Sequence, residues 1–330
     1  MVNVAHSSVT ETARGESSAP GLGLRQVTFQ AMGTRCEIQY GCEDAVAAKA
    51  FELTAVNWVK AFEARYSRFI ESSLVSRINT AAGQDWVEID PEMEEMLKLC
   101  DTLHHITRGI LEPTLLPLIR LWDYKAANPV IPSAEQIDHA RRLVGWSKVQ
   151  RAPGAVFLPQ KGMALDFGGF GKEYAVDVVA QIAIQQGIAS VLVDFGHDLR
   201  SHGKPPDRPA WQIGLEDPKH PGTYGGSVAF TTSRGIASSG DYLRQFVKNG
   251  RRYGHIIDPR TGYPVANGCL QATVIAKSCL HAGVLSTTAF ILGVPAGIDF
   301  IQSFPGAEGL IITENARAQT RGFFNHVVPA

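Results

Sequence analysis

The chain has 330 residues, a length that suits one large domain or two of ordinary size. Hydrophobic residues make up 45% and charged residues 19%, a globular mixture that excludes wholesale disorder. The formal net charge is -1, so no basic excess points to a nucleic-acid partner. The longest apolar runs, such as 283–294, are interrupted by Ser and Thr and are shorter than the roughly 20 residues of a membrane span. We therefore expect a soluble protein with no nucleic acid and no membrane span.

Residues 1–24 are rich in Ser, Gly, Ala and Thr and lack the charged start and apolar stretch of a secretory signal. We predict that they form a disordered tail and that residues 25–330 form the folded domain. The five cysteines form an odd set without a C-x-x-C pair, which argues against a disulfide framework and for a reducing compartment. The sequence thus predicts a cytoplasmic protein.

Local signals in the N-terminal half predict two strands and three helices. Asp90 is a good N-cap with Pro91 in the first turn, and Ser133 with Gln136 has the spacing of a capping box. The predicted elements are two strands within 26–40 around a turn at 32–34, a helix over 44–66, a helix from Asp90 that stops at Gly109, and a helix from Ser133 to near Gly145.

The C-terminal half is predicted to contain more strands. Asn249-Gly250 lies between two alternating segments and is typical of a type I′ hairpin turn. The predicted elements are a strand over 163–167, a helix over 172–186, a strand over 190–195, a hairpin over 242–257, a strand over 270–276, a helix over 278–292 and a strand over 309–313. This order predicts an α+β fold with mixed, largely antiparallel sheets and packed helices.

The segment 165–177 contains a glycine turn that opens a helix, an arrangement suited to binding phosphate. A Rossmann fingerprint fails because Tyr174 stands at its third glycine, although Asp194 lies where the ribose-binding acid would be. A Walker A loop fails at Asp166 and Glu173. Close packing of a helix on a strand explains the glycines equally, so the spacing alone leaves both interpretations open.

A second dense group of polar residues follows between 238 and 264. His255 is the one group there that titrates near neutral pH, so it is a candidate general acid or base. The alternative is that His255 and Asp258 form a structural pair in a turn. The members of the group are Ser238, Ser239, Asp241, Tyr242, Arg244, His255, Asp258 and Arg260.

Several separated blocks together resemble the FAD:protein FMN transferases, the ApbE family. The resemblance covers roughly 27–325, and its blocks follow one another in the family's order. They read AMGTRCEI, SRFIESSLVSRIN, GILEPTLLPLIRLW, LDFGG with GKEYAVD, ASSGDY, YGHIIDPRTGYPV, ATVIAKS and VLSTTAFILG.

The resemblance implies that the chain moves the FMN moiety of FAD onto a threonine of a partner flavoprotein, with release of AMP and with Mg²⁺ on the pyrophosphate. It implies that His255 handles the proton of the reaction, and that Phe69 lies where a flavin-stacking group is expected. The FAD site would be lined by Met32, Phe69, the backbone of Ile110 and Leu111, Glu112, Asp166, Lys172 and Ile257. The metal site would include the carbonyl of Gly169, position 283, Ser286 and Thr287.

Four positions depart from the family pattern. Gly283 replaces the aspartate that holds the metal, and a glycine supplies no carboxylate. Glu112 stands where Asp is usual, Glu173 replaces a glycine, and His197 replaces the second glycine of a pair.

These departures leave two interpretations open. The chain is a working transferase whose metal is held otherwise, by Asp198, His197 or His281. Alternatively, it is a degenerate member that binds FAD, or hydrolyses it to FMN and AMP, without transfer to protein. A nicotinamide dehydrogenase, suggested by the glycine turn and Asp194, is the alternative from another class.

Overall fold

A computed structural model describes residues 23–328. Its main feature is an eight-stranded sheet in which every neighbouring pair is antiparallel. In order across the sheet, its strands are β1 (Leu24–Ala31), β2 (Thr34–Gly41), β6 (Ser190–Phe195), β7 (Asp198–His202), β10 (Arg234–Gly240), β13 (Cys269–Ala276), β14 (Glu308–Thr313) and β15 (Arg317–Gln319). The predicted α+β class with largely antiparallel sheets is confirmed.

Three small antiparallel sheets and eight helices complete the described chain. The small sheets consist of β3 (Val87–Glu88) with β5 (Ala155–Phe157) and β4 (Gln150–Ala152), β8 (Trp211–Glu216) with β9 (Tyr224–Phe230), and β11 (Gln245–Lys248) with β12 (Arg251–Gly254). The helices are α1 (Ala45–Tyr66), α2 (Leu74–Thr80), α3 (Pro91–Ile106), α4 (Leu116–Leu121), α5 (Ala134–Arg142), α6 (Gly171–Gln185), α7 (Cys279–Leu292) and α8 (Ala296–Gln302). Two 3₁₀ turns cover Trp146–Lys148 and Phe323–His326.

The first predicted hairpin is confirmed, and its turn has a simple physical cause. Met32 and Gly33 both have positive φ, 51° and 70°, as a two-residue type I′ turn requires. Ala31 therefore pairs with Thr34, and alternate side chains of β2 are buried against α1. The second predicted turn, Asn249-Gly250, has the same geometry, with φ of 52° and 73°. Its arms, β11 and β12, are shorter than predicted.

The helix starts that were predicted from capping signals are also confirmed. Asp90 accepts a hydrogen bond from the backbone N–H of Met93 at 3.0 Å, and Ser133 and Gln136 form both halves of a capping box. These contacts satisfy backbone donors that a helix leaves unpaired in its first turn.

Helices α6 and α7 lie side by side, and Asp177 joins them. Its carboxylate accepts from the backbone N–H groups of Cys279 and Leu280, both at 2.9 Å, and pairs with Arg200 at 2.8 Å. Most of α7 is buried, including Val284 and Leu285 in two different core clusters. The contacts of Asp177 therefore fix the start of α7 against α6.

The strand predicted over 163–167 is wrong. The backbone N–H and C=O of Leu165 bond to the side chain of Asn79 at 2.6 and 2.9 Å, and the N–H of Asp166 donates to the carbonyl of Pro113 at 2.8 Å. Because a side chain and a loop satisfy these groups, the segment is extended without a strand partner.

The tail predicted over 1–24 lies outside the described residues except for its last two, and Leu24 already begins β1. No helix within 23–328 is long and apolar enough to cross a membrane.

Candidate functional site

The candidate site lies where the end of β10 meets the middle of α7. The Oγ of Ser239 is 2.9 Å from the Oγ of Ser286 and 2.8 Å from the Oγ1 of Thr287. Ser286 also donates to the carbonyl of Gly283 at 3.0 Å. We call Ser239, Ser286 and Thr287 the hydroxyl cluster. Ser286 and Thr287 were predicted for the metal site, whereas Ser239 was noted only as part of the 238–264 group.

Glu173 and Gly283 face each other across the contact between α6 and α7. A Cβ at position 283 would lie 2.6 Å from the Cγ and 3.1 Å from the Oε1 of Glu173, so a side chain there would collide with the glutamate. The Oε2 of Glu173 is buried and has no hydrogen-bond partner. Burial raises the pKa of this carboxyl above its usual value. Two of the departures from the family pattern are therefore in direct contact.

The three residues expected to hold the metal in place of an aspartate at position 283 have different surroundings. The carboxylate of Asp198 pairs with the ammonium of Lys172, which also donates to the carbonyl of Phe195 at 3.1 Å. The Nδ1 of His281 is 2.9 Å from the Oγ of Ser278 at the start of α7. His197 is exposed, in the turn between β6 and β7, with a φ of 71°. Asp198 and His281 thus already have partners within the chain.

His255 follows β12 and is enclosed on one side. Its backbone N–H donates to the carbonyl of Arg244 at 3.0 Å, and the ring of Tyr124 lies 5.9 Å from the imidazole. Its Nδ1 is buried without a hydrogen-bond partner, whereas its Nε2 is not among the buried nitrogens that lack a partner. Burial, together with the charge of Arg244, lowers the pKa of His255 to about 4. The imidazole is therefore neutral at pH 7 and can accept a proton.

The structural pair of His255 with Asp258 is not formed. Asp258 instead accepts from the guanidinium of Arg260 at 2.7 to 3.2 Å, within its own turn. Asp241, two residues after Ser239, packs against Gly254, where a Cβ would be 2.4 Å from its Oδ2. This contact places the loop of His255 at the same end of β10 as the hydroxyl cluster.

Phe69 lies on the surface in a contact that also involves Asp166. Its ring is 80% exposed, and the guanidinium of Arg68 lies 4.3 Å from the ring centroid. Arg68 also pairs with Asp166 at 3.2 Å, and Asp166 accepts from the N–H of Gly168 at 3.0 Å. The structure thus brings two predicted FAD contacts together through Arg68, which the sequence did not single out. An exposed aromatic ring held by a cation is suited to stacking on a planar ligand.

Glu112 is buried within its own loop. It accepts from the N–H and hydroxyl of Thr114 at 2.8 and 2.6 Å and from the N–H of Trp146 at 3.1 Å, and the Nε2 of His104 is 3.4 Å away. Burial alone would raise its pKa, but these hydrogen bonds outweigh burial and hold the pKa below its usual value. Both carboxylate oxygens therefore organise the loop that presents Ile110 and Leu111.

A cavity of about 510 Å³ lies beside this loop. Its lining combines two carboxylates, Glu112 and Asp138, with three arginines and reaches Pro259, two residues beyond Ile257. The arginines are Arg141, Arg142 and Arg260. The cavity volume is within the range of small-molecule sites, and the three guanidinium groups offer contacts to an anion, although Arg141 and Arg260 also pair with Asp138 and Asp258.

The remaining predicted residues occupy the surrounding loops. Met32 forms the β1–β2 turn, where its N–H donates to Glu63 at 2.7 Å, and Ile257 is buried. Gly169 lies in the turn before α6, and a Cβ there would meet nothing within 4 Å.

The donor groups present fit a magnesium ion. Within 23–328, no three His, Cys, Asp or Glu side chains converge as a metal-binding group, so a metal would depend on few carboxylates. Mg²⁺ is commonly held by one or two carboxylates together with substrate phosphate oxygens and water. The orphaned Oε2 of Glu173 and the hydroxyl cluster offer oxygen donors of this kind.

Comparison with known proteins relates the chain to one family. The model of the ApbE family matches residues 32–311. A Haemophilus influenzae protein named FAD:protein FMN transferase is 30% identical over 259 residues, covering 74% of this chain and 74% of that protein. A Vibrio cholerae protein of the same name is 28% identical over 249 residues, covering 74% of this chain and 75% of its own.

The fold of this chain is also similar to solved structures of ApbE proteins. The crystal structure of an ApbE protein from Thermotoga maritima aligns with a TM-score of 0.84 at 29% identity, covering 93% of this chain and 100% of that one. The flavin transferase ApbE from Vibrio cholerae aligns with a TM-score of 0.78 at 26% identity, covering 92% and 99% of the two chains.

Proposed function

The chain belongs to the ApbE family, and we propose that it transfers the FMN moiety of FAD to a threonine hydroxyl of a partner flavoprotein. In this reaction the threonine oxygen forms a bond to the FMN phosphorus, the bond from that phosphorus to the bridging oxygen breaks, and AMP leaves. The observation that carries the proposal is the family match over 32–311, which spans every candidate site residue named above.

We assign FAD to the surface between Phe69 and the cavity beside Glu112. Phe69 offers an exposed face for the flavin ring, and the arginines of the cavity offer positive charge to a phosphate. Lys172 lies at the first turn of α6, whose N-terminus favours anions. Asp198 holds this ammonium in place, so it is presented in a defined position.

His255 is proposed to take the proton from the threonine hydroxyl through Nε2. The neutral imidazole has a free lone pair at physiological pH, and the negative charge of a bound diphosphate would raise its pKa towards that of an effective base. The enclosed Nδ1 leaves Nε2 as the nitrogen that can reach a ligand.

Magnesium is proposed as the cofactor, held by oxygen donors at the junction of α6, α7 and β10. When bound, it would neutralise charge on the pyrophosphate and on the departing AMP. Ser286, Thr287 and the carbonyl of Gly169 are the predicted contributors, and Ser239 joins the two hydroxyls. The cysteine usage supports a reducing, cytoplasmic location for the reaction.

The experiment is incubation of the purified protein with FAD, Mg²⁺ and an acceptor domain that carries the target threonine, followed by intact mass measurement. An acceptor that gains the mass of FMN, with AMP released in equal amount, supports the proposal. An acceptor with Thr replaced by Ala is the control and should stay unmodified. AMP release with an unmodified acceptor would instead indicate FAD hydrolysis and would overturn transfer.

A further inference from the structure

A buried carboxylate on α6, that of Glu173, has an oxygen without a hydrogen bond and has no ion pair within the described chain. Glu112 accepts three hydrogen bonds, and Asp177 accepts two backbone N–H groups and pairs with Arg200. The Oδ1 of Asp241 also lacks a hydrogen bond, but it has an ion pair with the guanidinium of Arg252 at 3.5 Å. Glu173 has neither a hydrogen bond to Oε2 nor a cation of its own, because the neighbouring Lys172 pairs with Asp198. An unpartnered buried carboxylate is costly unless something else binds it.

The position of Glu173 relates it directly to the hydroxyl cluster. Residues 283, 286 and 287 are spaced i, i+3 and i+4 on α7 and therefore share one face of that helix. The Oε1 of Glu173 lies 3.1 Å from where a Cβ of residue 283 would be. A carboxylate thus stands on the face of α7 that carries Ser286 and Thr287, although it comes from α6.

We propose that Glu173 supplies the carboxylate ligand of the metal site, in the space that Gly283 leaves open on α7. This inference rests on the proposed function, since it names the ligand of the metal proposed there. Hard oxygen donors are the groups that Mg²⁺ selects, and removing one carboxylate from a site with few of them weakens binding strongly. This contact accounts for both departures from the family pattern, because a side chain at position 283 would collide with the side chain of Glu173.

The test is titration of Mn²⁺, read as loss of the free-ion electron paramagnetic resonance signal, with FAD present. We expect Glu173→Gln to weaken Mn²⁺ binding at least about tenfold, because it keeps the shape of the side chain and removes its charge. Glu314→Gln, on an exposed loop, is the matched control and should bind Mn²⁺ like the unmodified protein. The double variant Glu173→Gly/Gly283→Asp moves the carboxylate to α7 and should restore binding to within a few-fold.

Two outcomes overturn the inference: Mn²⁺ affinity unchanged in Glu173→Gln, or no Mn²⁺ binding by the unmodified protein with FAD. FAD affinity without metal, from flavin fluorescence, should be similar in all variants, and melting temperatures show whether each is folded. Failure of the proposed function would be seen separately, as an unmodified acceptor in the transfer assay despite Mn²⁺ binding that depends on Glu173.

Discussion

Lys172 and Asp198 form an ion pair that connects the start of α6 to the start of β7. The carboxylate side chain is only 9% exposed, and the ammonium also donates to the carbonyl of Phe195 at 3.1 Å. The pair therefore fixes the turn between β6 and β7 against the helix that carries Glu173. It also explains why Asp198 is a poor candidate for a free metal ligand.

We expect Asp198→Asn to destabilise the fold by about 3 kcal/mol, because it leaves a partly buried ammonium without its counter-charge. The measurement is the free energy of unfolding in urea. Glu95→Gln is the control, since Lys98 and Glu95 form an ion pair in which both side chains are more than half exposed. A loss no larger than that of the control would contradict the structural role assigned to the pair.

We expect Phe69→Ala to weaken FAD binding about tenfold, which corresponds to about 1.4 kcal/mol of lost stacking. Stability should hardly change, because the ring is 80% exposed and contributes little to the core. FAD affinity is measured from quenching of flavin fluorescence.

Phe324→Ala provides the comparison for Phe69, because Phe324 is 71% exposed and lies near the C-terminal end of the described chain. It should leave FAD affinity unchanged. Equal effects of the two substitutions would show that Phe69 has no specific place in the flavin site.

Features that depend on neighbouring residues were predictable from the sequence. The turn at Met32-Gly33 and the capping box of Ser133 and Gln136 each follow from two or three adjacent side chains and the backbone. The antiparallel class followed from such turns together with alternating strands. The predicted helices α1, α3, α5, α6 and α7 are all present in the structure.

Features that depend on distant contacts were not predictable in this way. The segment around Leu165 has strand-like residues, but Asn79, 86 positions away, takes its backbone hydrogen bonds. Ser239 joins Ser286 and Thr287 only because β10 packs on α7. Glu173 and Gly283 were both recognised as unusual, yet their spacing of over a hundred residues gave no sign that they touch. Roles carried over from the family resemblance therefore named most of the site, while its contacts required the fold.

We expect Glu112→Gln to destabilise the fold by about 2 kcal/mol, although the two side chains have nearly the same shape. An amide presents one acceptor oxygen and two N–H donors, so it cannot accept from both Thr114 and Trp146. Because the pKa of Glu112 is lowered in the folded state, its contribution is present above the ordinary glutamate pKa and is lost as the pH falls through the lower folded value. Urea unfolding at pH 7 and in mild acid should show the difference between variant and parent shrinking in acid. A difference that is independent of pH would contradict this assignment.

The lowered pKa of His255 predicts two pH dependences with known sign. For stability, the unfolded state binds a proton near pH 6.5 and the folded state only near 4, so the contribution of His255 is complete above pH 6.5 and is lost between 6.5 and 4. For catalysis, the profile of kcat/KM for FAD should show an acid limb near pH 4, since that ratio reports the free enzyme. The limb of kcat should lie at higher pH, because the bound diphosphate favours the imidazolium.

His255→Gln separates the catalytic role from the structural one. It should lower kcat by about 10²- to 10⁴-fold, the range for loss of a general base, and remove the acid limb from the remaining activity. The free energy of unfolding of the variant, relative to that of the parent, should be higher at pH 5 than at pH 7.5. The reason is that the glutamine cannot be protonated, so the variant does not lose the stability that the parent loses in acid. Transfer that keeps its rate and its acid limb in this variant would assign the proton to another group.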